Sequence, residues 1–86
     1  MVFYELEIKP SFHKDLKRSA PSFVPRIVAK VEALISDPLP AASTKLVNTD
    51  CSYRLRVGDY RVLYFFLADE RRVIVTHVLH RREAYR

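Results

Sequence analysis

The chain has 86 residues, room for a single domain with one modest core. Hydrophobic residues make up 49% and charged residues 29%, a globular balance rather than a disordered one. Fifteen Lys and Arg against ten Asp and Glu give a net +5, unevenly spread. Residues 1–50 hold seven basic and six acidic side chains, whereas residues 51–86 hold eight and four, a net +4. That basic half, with no basic amphipathic helix beside it, points to a polyanionic partner, nucleic acid before membrane. The longest apolar run, Val62 to Ala68, is far short of the ~20 residues a spanning helix needs. Glu5, Glu7 and Lys9 interrupt the only apolar stretch near the start, so no secretory signal is expected there. A lone cysteine, Cys51, closes no internal disulfide, and a reducing cytoplasm is the simplest home. Gly58 is the only glycine, which excludes phosphate-binding P-loops and dinucleotide-binding loops.

Val2 to Lys9 alternates, with Tyr4, Leu6 and Ile8 on one side and Glu5, Glu7 and Lys9 on the other, as in a half-buried strand. Pro10 ends it, and Ser11 is placed to cap a short helix carrying Phe12 and Leu16. Ser19-Ala20-Pro21 breaks that helix. A stronger one follows, with Phe23, Ile27, Val31, Leu34 and Ile35 on one stripe, Pro21 and Pro25 near its start and Asp37-Pro38 at its stop. Residues 38–50 read as a loop with a short strand around Lys45 to Val47. Tyr53 to Val57 alternates, Gly58-Asp59 signals a two-residue turn, and Tyr60 to Leu67 is a long apolar strand. After a polar loop at Ala68 to Arg71, Val73 to Leu79 makes a further strand. The order β-α-α-β-β-β is that of a small α+β domain spanning residues 1–86, two N-terminal helices packed on an antiparallel-rich sheet.

The two-residue turn dictates a register. Val57 faces Tyr60, Arg56 faces Arg61, Leu55 faces Val62 and Arg54 faces Leu63. Period two then puts Tyr53, Leu55, Val57, Tyr60 and Val62 on the helix side, and Arg54, Arg56 and Arg61 on the other. Like charges directly opposite on a sheet are destabilising by up to about 1 kcal/mol. Any single exposed arginine is an ordinary solvated side chain. Three converging from two strands read as an anion site, because planar, permanently charged guanidinium groups suit phosphate oxygens.

His80-Arg81-Arg82-Glu83-Ala84-Tyr85-Arg86 adds a histidine, further arginines and a tyrosine, and reads either as part of that site or as a solvated basic tail. A regular four-residue loop pairs Arg61 near Val78, which puts His80 on the arginine face. His77 and His80, three apart on a strand, point to opposite faces and so form no chelating pair. His77 is expected to be a packed or edge histidine, His13 to be exposed, and Cys51 to be a small buried filler. Asp59, Asp69 and Glu70 lie in turns and make no carboxylate pair. Phe65 and Leu67 fall on the arginine face, where a partner or an edge contact would cover them.

Lys45-Leu46, then Tyr53-Arg-Leu-Arg-Val-Gly-Asp-Tyr-Arg-Val-Leu-Tyr, then His80-Arg-Arg-Glu-Ala-Tyr-Arg resembles the RelE-type toxins of bacterial and archaeal toxin–antitoxin systems. The resemblance spans the chain in length and element order and is specific in residues 53–66 and 77–86. It implies a RelE-like, microbial-ribonuclease-type fold. It also implies a metal-independent endoribonuclease of a type II system, without cofactor, cleaving mRNA in the ribosomal A site and so inhibiting translation. The implied partners are a small, mostly acidic RelB-like antitoxin, the ribosome and mRNA, with operator DNA engaged only through the antitoxin complex and no membrane.

Carried over by residue, Arg61 matches the arginine that stabilises the charged transition state, Arg81 the one near the leaving group, and Tyr85 the tyrosine that stacks on or activates the substrate. Arg54 and Arg56 match basic positions that grip the RNA backbone, and Lys45 a basic position before the hairpin; with Arg82 they make up the expected RNA-binding set. Two departures stand out. Members with two strand lysines carry the first where Ser52 or Tyr53 stands here, so this is an arginine-only version. No helix, and so no gating by one, is expected after Tyr85.

Such cleavage uses the 2′-hydroxyl as nucleophile and leaves a 2′,3′-cyclic phosphate and a 5′-hydroxyl. The protein supplies charge for the phosphorane and proton transfer. Arginine is no base near neutral pH, which leaves Tyr85 or His80. A tyrosine, ordinarily near ~10, becomes a better base when cations surround it, while an imidazole near ~6.5 needs no such help. The two stay open at this point. The alternatives to the ribonuclease are a ParE-like gyrase-directed toxin of the same architecture and a non-catalytic RNA-binding or repressor module.

Overall fold

The computed structural model describes residues 3–47 and 49–84. The alternating N-terminal segment forms β1 (Glu5–Ile8), and Pro10 opens α1 (Pro10–Lys17) at the first helical position, where its missing N–H costs nothing. Lys9 therefore occupies the cap position expected of Ser11, whose Oγ instead donates to the Thr76 carbonyl at 2.5 Å and ties α1 to the sheet. Ser19 to Pro21 ends α1 as expected, and α2 (Val24–Ala33) carries Pro25 in its first turn.

The remaining strands are β2 (Ser43–Lys45), β3 (Ser52–Val57), β4 (Tyr60–Leu67) and β5 (Arg72–His80), closed by a short helix α3 (Arg81–Ala84). β2 lies two residues earlier than expected at both ends, and α3 was not foreseen. The architecture is α+β, helices on a sheet of order β1-β5-β4-β3-β2, in which β1 runs parallel to β5 and the other neighbours are antiparallel.

Phe12, Ile27 and Val31 descend from the helices, and Leu34 from the C-cap of α2, onto Leu55, Val57, Tyr60, Val62, Tyr64, Val73, Val75 and Val78. Each fully buried aliphatic side chain of that layer stabilises the fold by roughly 1.5–3 kcal/mol. Two tyrosines tie loops to it. Tyr64, pushed above its usual 10 by burial, donates its hydroxyl to the Pro38 carbonyl at 2.7 Å. Tyr60 accepts the Ala20 N–H at 2.8 Å between the helices. Where β1 stops, Asp15 of α1 continues the edge of β5. Its Oδ2 accepts the Val78 N–H at 3.3 Å and sits 2.8 Å from His77 Nδ1. At the opposite end of that seam, Arg72 bonds Glu7 and Glu70. Lys9 and then Arg72 hold the Glu7 carboxyl below its usual 4.5.

β5 departs from regular pairing at one point. Leu63 faces His77 but Tyr64 faces Val75, so Thr76 is an extra residue. No helix among the described residues is long and apolar enough to cross a membrane.

The β3–β4 turn depends on Gly58, whose φ is +57°. A Cβ there would lie 2.6 Å from Phe23 Cε1 on the approach to α2. Gly58→Ala should therefore lower stability by about 2 kcal/mol, since the left-handed backbone alone costs ~1–2 kcal/mol in any other residue. Denaturant unfolding measures it, and a midpoint equal to wild type would contradict this packing.

Candidate active site

The turn sets the register, and the register sorts the arginines. Arg56 pairs with Arg61, Arg54 with Leu63, Leu55 with Val62 and Val57 with Tyr60, as the two-residue loop requires. Leu55, Val57, Tyr60 and Val62 are buried under the helices, so Arg54, Arg56 and Arg61 project from the opposite face. There they line a hollow of about 290 Å³ with Ala41, Ala42 and Thr44, and none of those lining residues is acidic. Thr44 is on this face because it pairs with Arg54, and the small Ala41 and Ala42 leave the floor open. Arg54 and Arg61 are half-buried and Arg56 is exposed.

Arg61 is held rather than loose. Its Nη1 donates to the Gly58 and Tyr60 carbonyls at 2.9 Å each, which bends the guanidinium over the turn. The neighbouring carbonyl, that of Asp59, accepts the Arg81 N–H at 2.7 Å. One hairpin turn thus anchors both the guanidinium of Arg61 and the start of α3, whose Arg81 and Arg82 are exposed. A fixed positive site of this kind suits an anion whose charge develops during reaction, because the donors need little reorganisation.

Two sequence candidates lie elsewhere. His80 does not join the arginine face. The extra residue at Thr76 shifts the pairing so that Arg61 faces Leu79 and Tyr60 faces His80. A one-residue slip turns every later side chain over. His80 is consequently on the helix side, its ring edge-on to Tyr60 with centroids 5.4 Å apart. Lys45 pairs with Tyr53, not with Arg54, and so projects from the helix-side face of the exposed β2 edge, away from the hollow.

Tyr85 lies outside the described residues. His77 is an edge histidine and His13 is exposed, both as expected, while Cys51 is half-buried rather than buried. Phe65 is exposed beyond the hollow on the arginine face, paired with Ser52 and Ile74. Among the described residues, no group of three His, Cys, Asp or Glu side chains gathers to hold a metal ion. Sequence reasoning missed Asp15 and the Asp59 carbonyl. The first needed the knowledge that β1 ends before β5 does, and the second needed α3.

Residues 6–85 match the family described as the ParE toxin of the type II toxin–antitoxin system, parDE. The chain belongs to the RelE/ParE superfamily of type II toxins. It is also 33% identical to the candidate toxin RelE1 of Methanocaldococcus jannaschii, over 96% of either chain. The fold matches the archaeal RelE–RelB complex from Pyrococcus horikoshii, with a TM-score of 0.80 and 25% identity over 93% of this chain and 97% of that one. It matches the RelB–RelE antitoxin–toxin complex from Methanococcus jannaschii with a TM-score of 0.76 and 27% identity, over 92% of this chain and 94% of that one. Among the described residues, the arginine hollow is where three guanidinium groups gather on one sheet face.

Proposed function

We propose that this toxin is a metal-independent endoribonuclease that cleaves mRNA in the ribosomal A site. The observation that carries the reading is the arginine hollow itself, three guanidinium groups on one sheet face with the start of α3 fastened to the same turn. In the reaction, the ribose 2′-oxygen forms a bond to the adjacent phosphorus, the bond from phosphorus to the 5′-oxygen breaks, and a 2′,3′-cyclic phosphate results. Arg61 neutralises charge on the phosphorane, and its two carbonyl contacts keep it in place for that purpose. Arg81 stands by the departing 5′-oxygen, which takes a proton from water and leaves as a 5′-hydroxyl. Arg54, Arg56 and Arg82 hold the flanking phosphates, where bidentate guanidinium contacts set the register of the strand. Tyr85 takes the proton of the 2′-hydroxyl. Lys45 adds charge to the β2 edge rather than to the hollow.

A cognate acidic, RelB-like antitoxin fits the same surface, and operator DNA is engaged only through that complex. The supports are the basic face, the exposed Phe65 beside it and the similarity to RelE proteins solved with RelB. Opposite charges steer such an encounter, so the association rate should fall by about ten-fold or more between low and high salt, with a smaller change in dissociation. Stopped-flow mixing at several ionic strengths measures it. A rate indifferent to salt would move the docking surface elsewhere.

The ParE family match favours a second reading, inhibition of gyrase. Purified toxin added to cell-free translation and, separately, to a gyrase supercoiling assay distinguishes the two. Block of translation with unimpaired supercoiling supports the ribonuclease. The reverse supports the gyrase toxin, and inactivity in both leaves a binding module.

A further inference from the structure

His80 precedes the first residue of α3, which is the N-cap position, and its Nδ1 accepts the backbone N–H of Arg82, the second helical residue, at 3.3 Å. That is the bond ordinarily made by the side-chain oxygen of a capping Ser, Thr, Asp or Asn. We infer that His80 is the cap of α3 and a positioning residue for Arg81, not a proton-transfer group. The activity part of this inference rests on the ribonuclease reading above.

Three observations converge on it. A backbone N–H can only donate, so Nδ1 must be the unprotonated ring nitrogen, and its lone pair, the imidazole's only basic site in that tautomer, is already committed to Arg82. The ring is on the helix side of the sheet, edge-on to Tyr60, which is itself buried and fixed by the Ala20 N–H. The arginine hollow is on the other side. Finally, α3 has four described residues, too few to be stable by their own hydrogen bonds. Its orientation comes from its ties, of which the first two N–H groups supply two: Arg81 to the Asp59 carbonyl and Arg82 to His80. Loss of the second leaves, of these two, only the Arg81 tie to Asp59, beside the turn that also carries Arg61.

Two variants separate a cap from a base. His80→Asn keeps an acceptor at the cap but no titrating imidazole, whereas His80→Phe keeps a ring against Tyr60 but no acceptor. Exchange of the Arg82 amide is followed by NMR, and single-turnover cleavage of ribosome-bound mRNA in parallel. His80→Asn should retain Arg82 protection and cleavage within about three-fold of wild type, while His80→Phe should lose about ten-fold in both. A loss of about a hundred-fold or more in cleavage by His80→Asn, with Arg82 still protected, would make the imidazole a proton carrier and overturn the inference. Unchanged Arg82 exchange in His80→Phe would overturn it too. If wild type fails to cleave mRNA, the ribonuclease reading falls, and the amide exchange still decides whether His80 caps α3.

Discussion

Arg61→Ala should leave the toxin folded and abolish its growth arrest, with cleavage of ribosome-bound mRNA reduced by roughly 10²–10³-fold, the loss typical of deleting one preorganised transition-state contact. The side chain projects from the face opposite the core, so no cavity opens beneath the helices. Among what it gives up are the bonds to the Gly58 and Tyr60 carbonyls, both beside an exposed turn where water replaces the donor. Against that stands relief from Arg56, which faces Arg61 directly across the hairpin. The two effects are of similar size, so the unfolding free energy should change by no more than about 1 kcal/mol. Growth arrest equal to wild type from a folded variant would remove Arg61 from the reaction.

Tyr85→Phe should be the second severe variant, losing about 10²–10⁴-fold in single-turnover cleavage. With His80 turned to the helix side and its lone pair committed to Arg82, Tyr85 is the proton-handling candidate that remains. The base in that role is the phenolate, which is populated near neutral pH only where cations lower the hydroxyl's pKa. Phenylalanine keeps the ring face, so a tyrosine that only stacks on a base would tolerate the change. Cleavage by Tyr85→Phe within a few-fold of wild type would assign stacking to Tyr85 and leave the arginines acting by electrostatics.

The arginine hollow was legible because its cause is local. A Gly-Asp turn admits one pairing, and that pairing alone decides which side chains of β3 and β4 share a face. The helix stripe through Ile27, Val31 and Leu34 was legible for the same reason, since a period of 3.6 residues needs no knowledge of the partner. His80 was misplaced because its side depends on one extra residue at Thr76. In Val73-Ile-Val-Thr-His-Val, every position suits a strand and nothing marks the bulge. The side of Lys45 was not legible, because it follows from the register of a three-residue edge strand that no tight turn constrains. The parallel pairing of β1 with β5 and the edge contact of Asp15 are long-range consequences of topology, and no local pattern announces them.

The proposed reaction is RNA cleavage on the ribosome by the arginine face. Mapping mRNA 5′ ends after adding purified toxin to programmed, translating ribosomes tests it most directly, with product termini resolved chemically and Arg61→Ala run alongside. The account predicts cuts at codon spacing in the occupied A site, ends bearing 2′,3′-cyclic phosphate and 5′-hydroxyl, and no cuts with the variant. Intact mRNA on ribosomes exposed to folded wild-type toxin would contradict it.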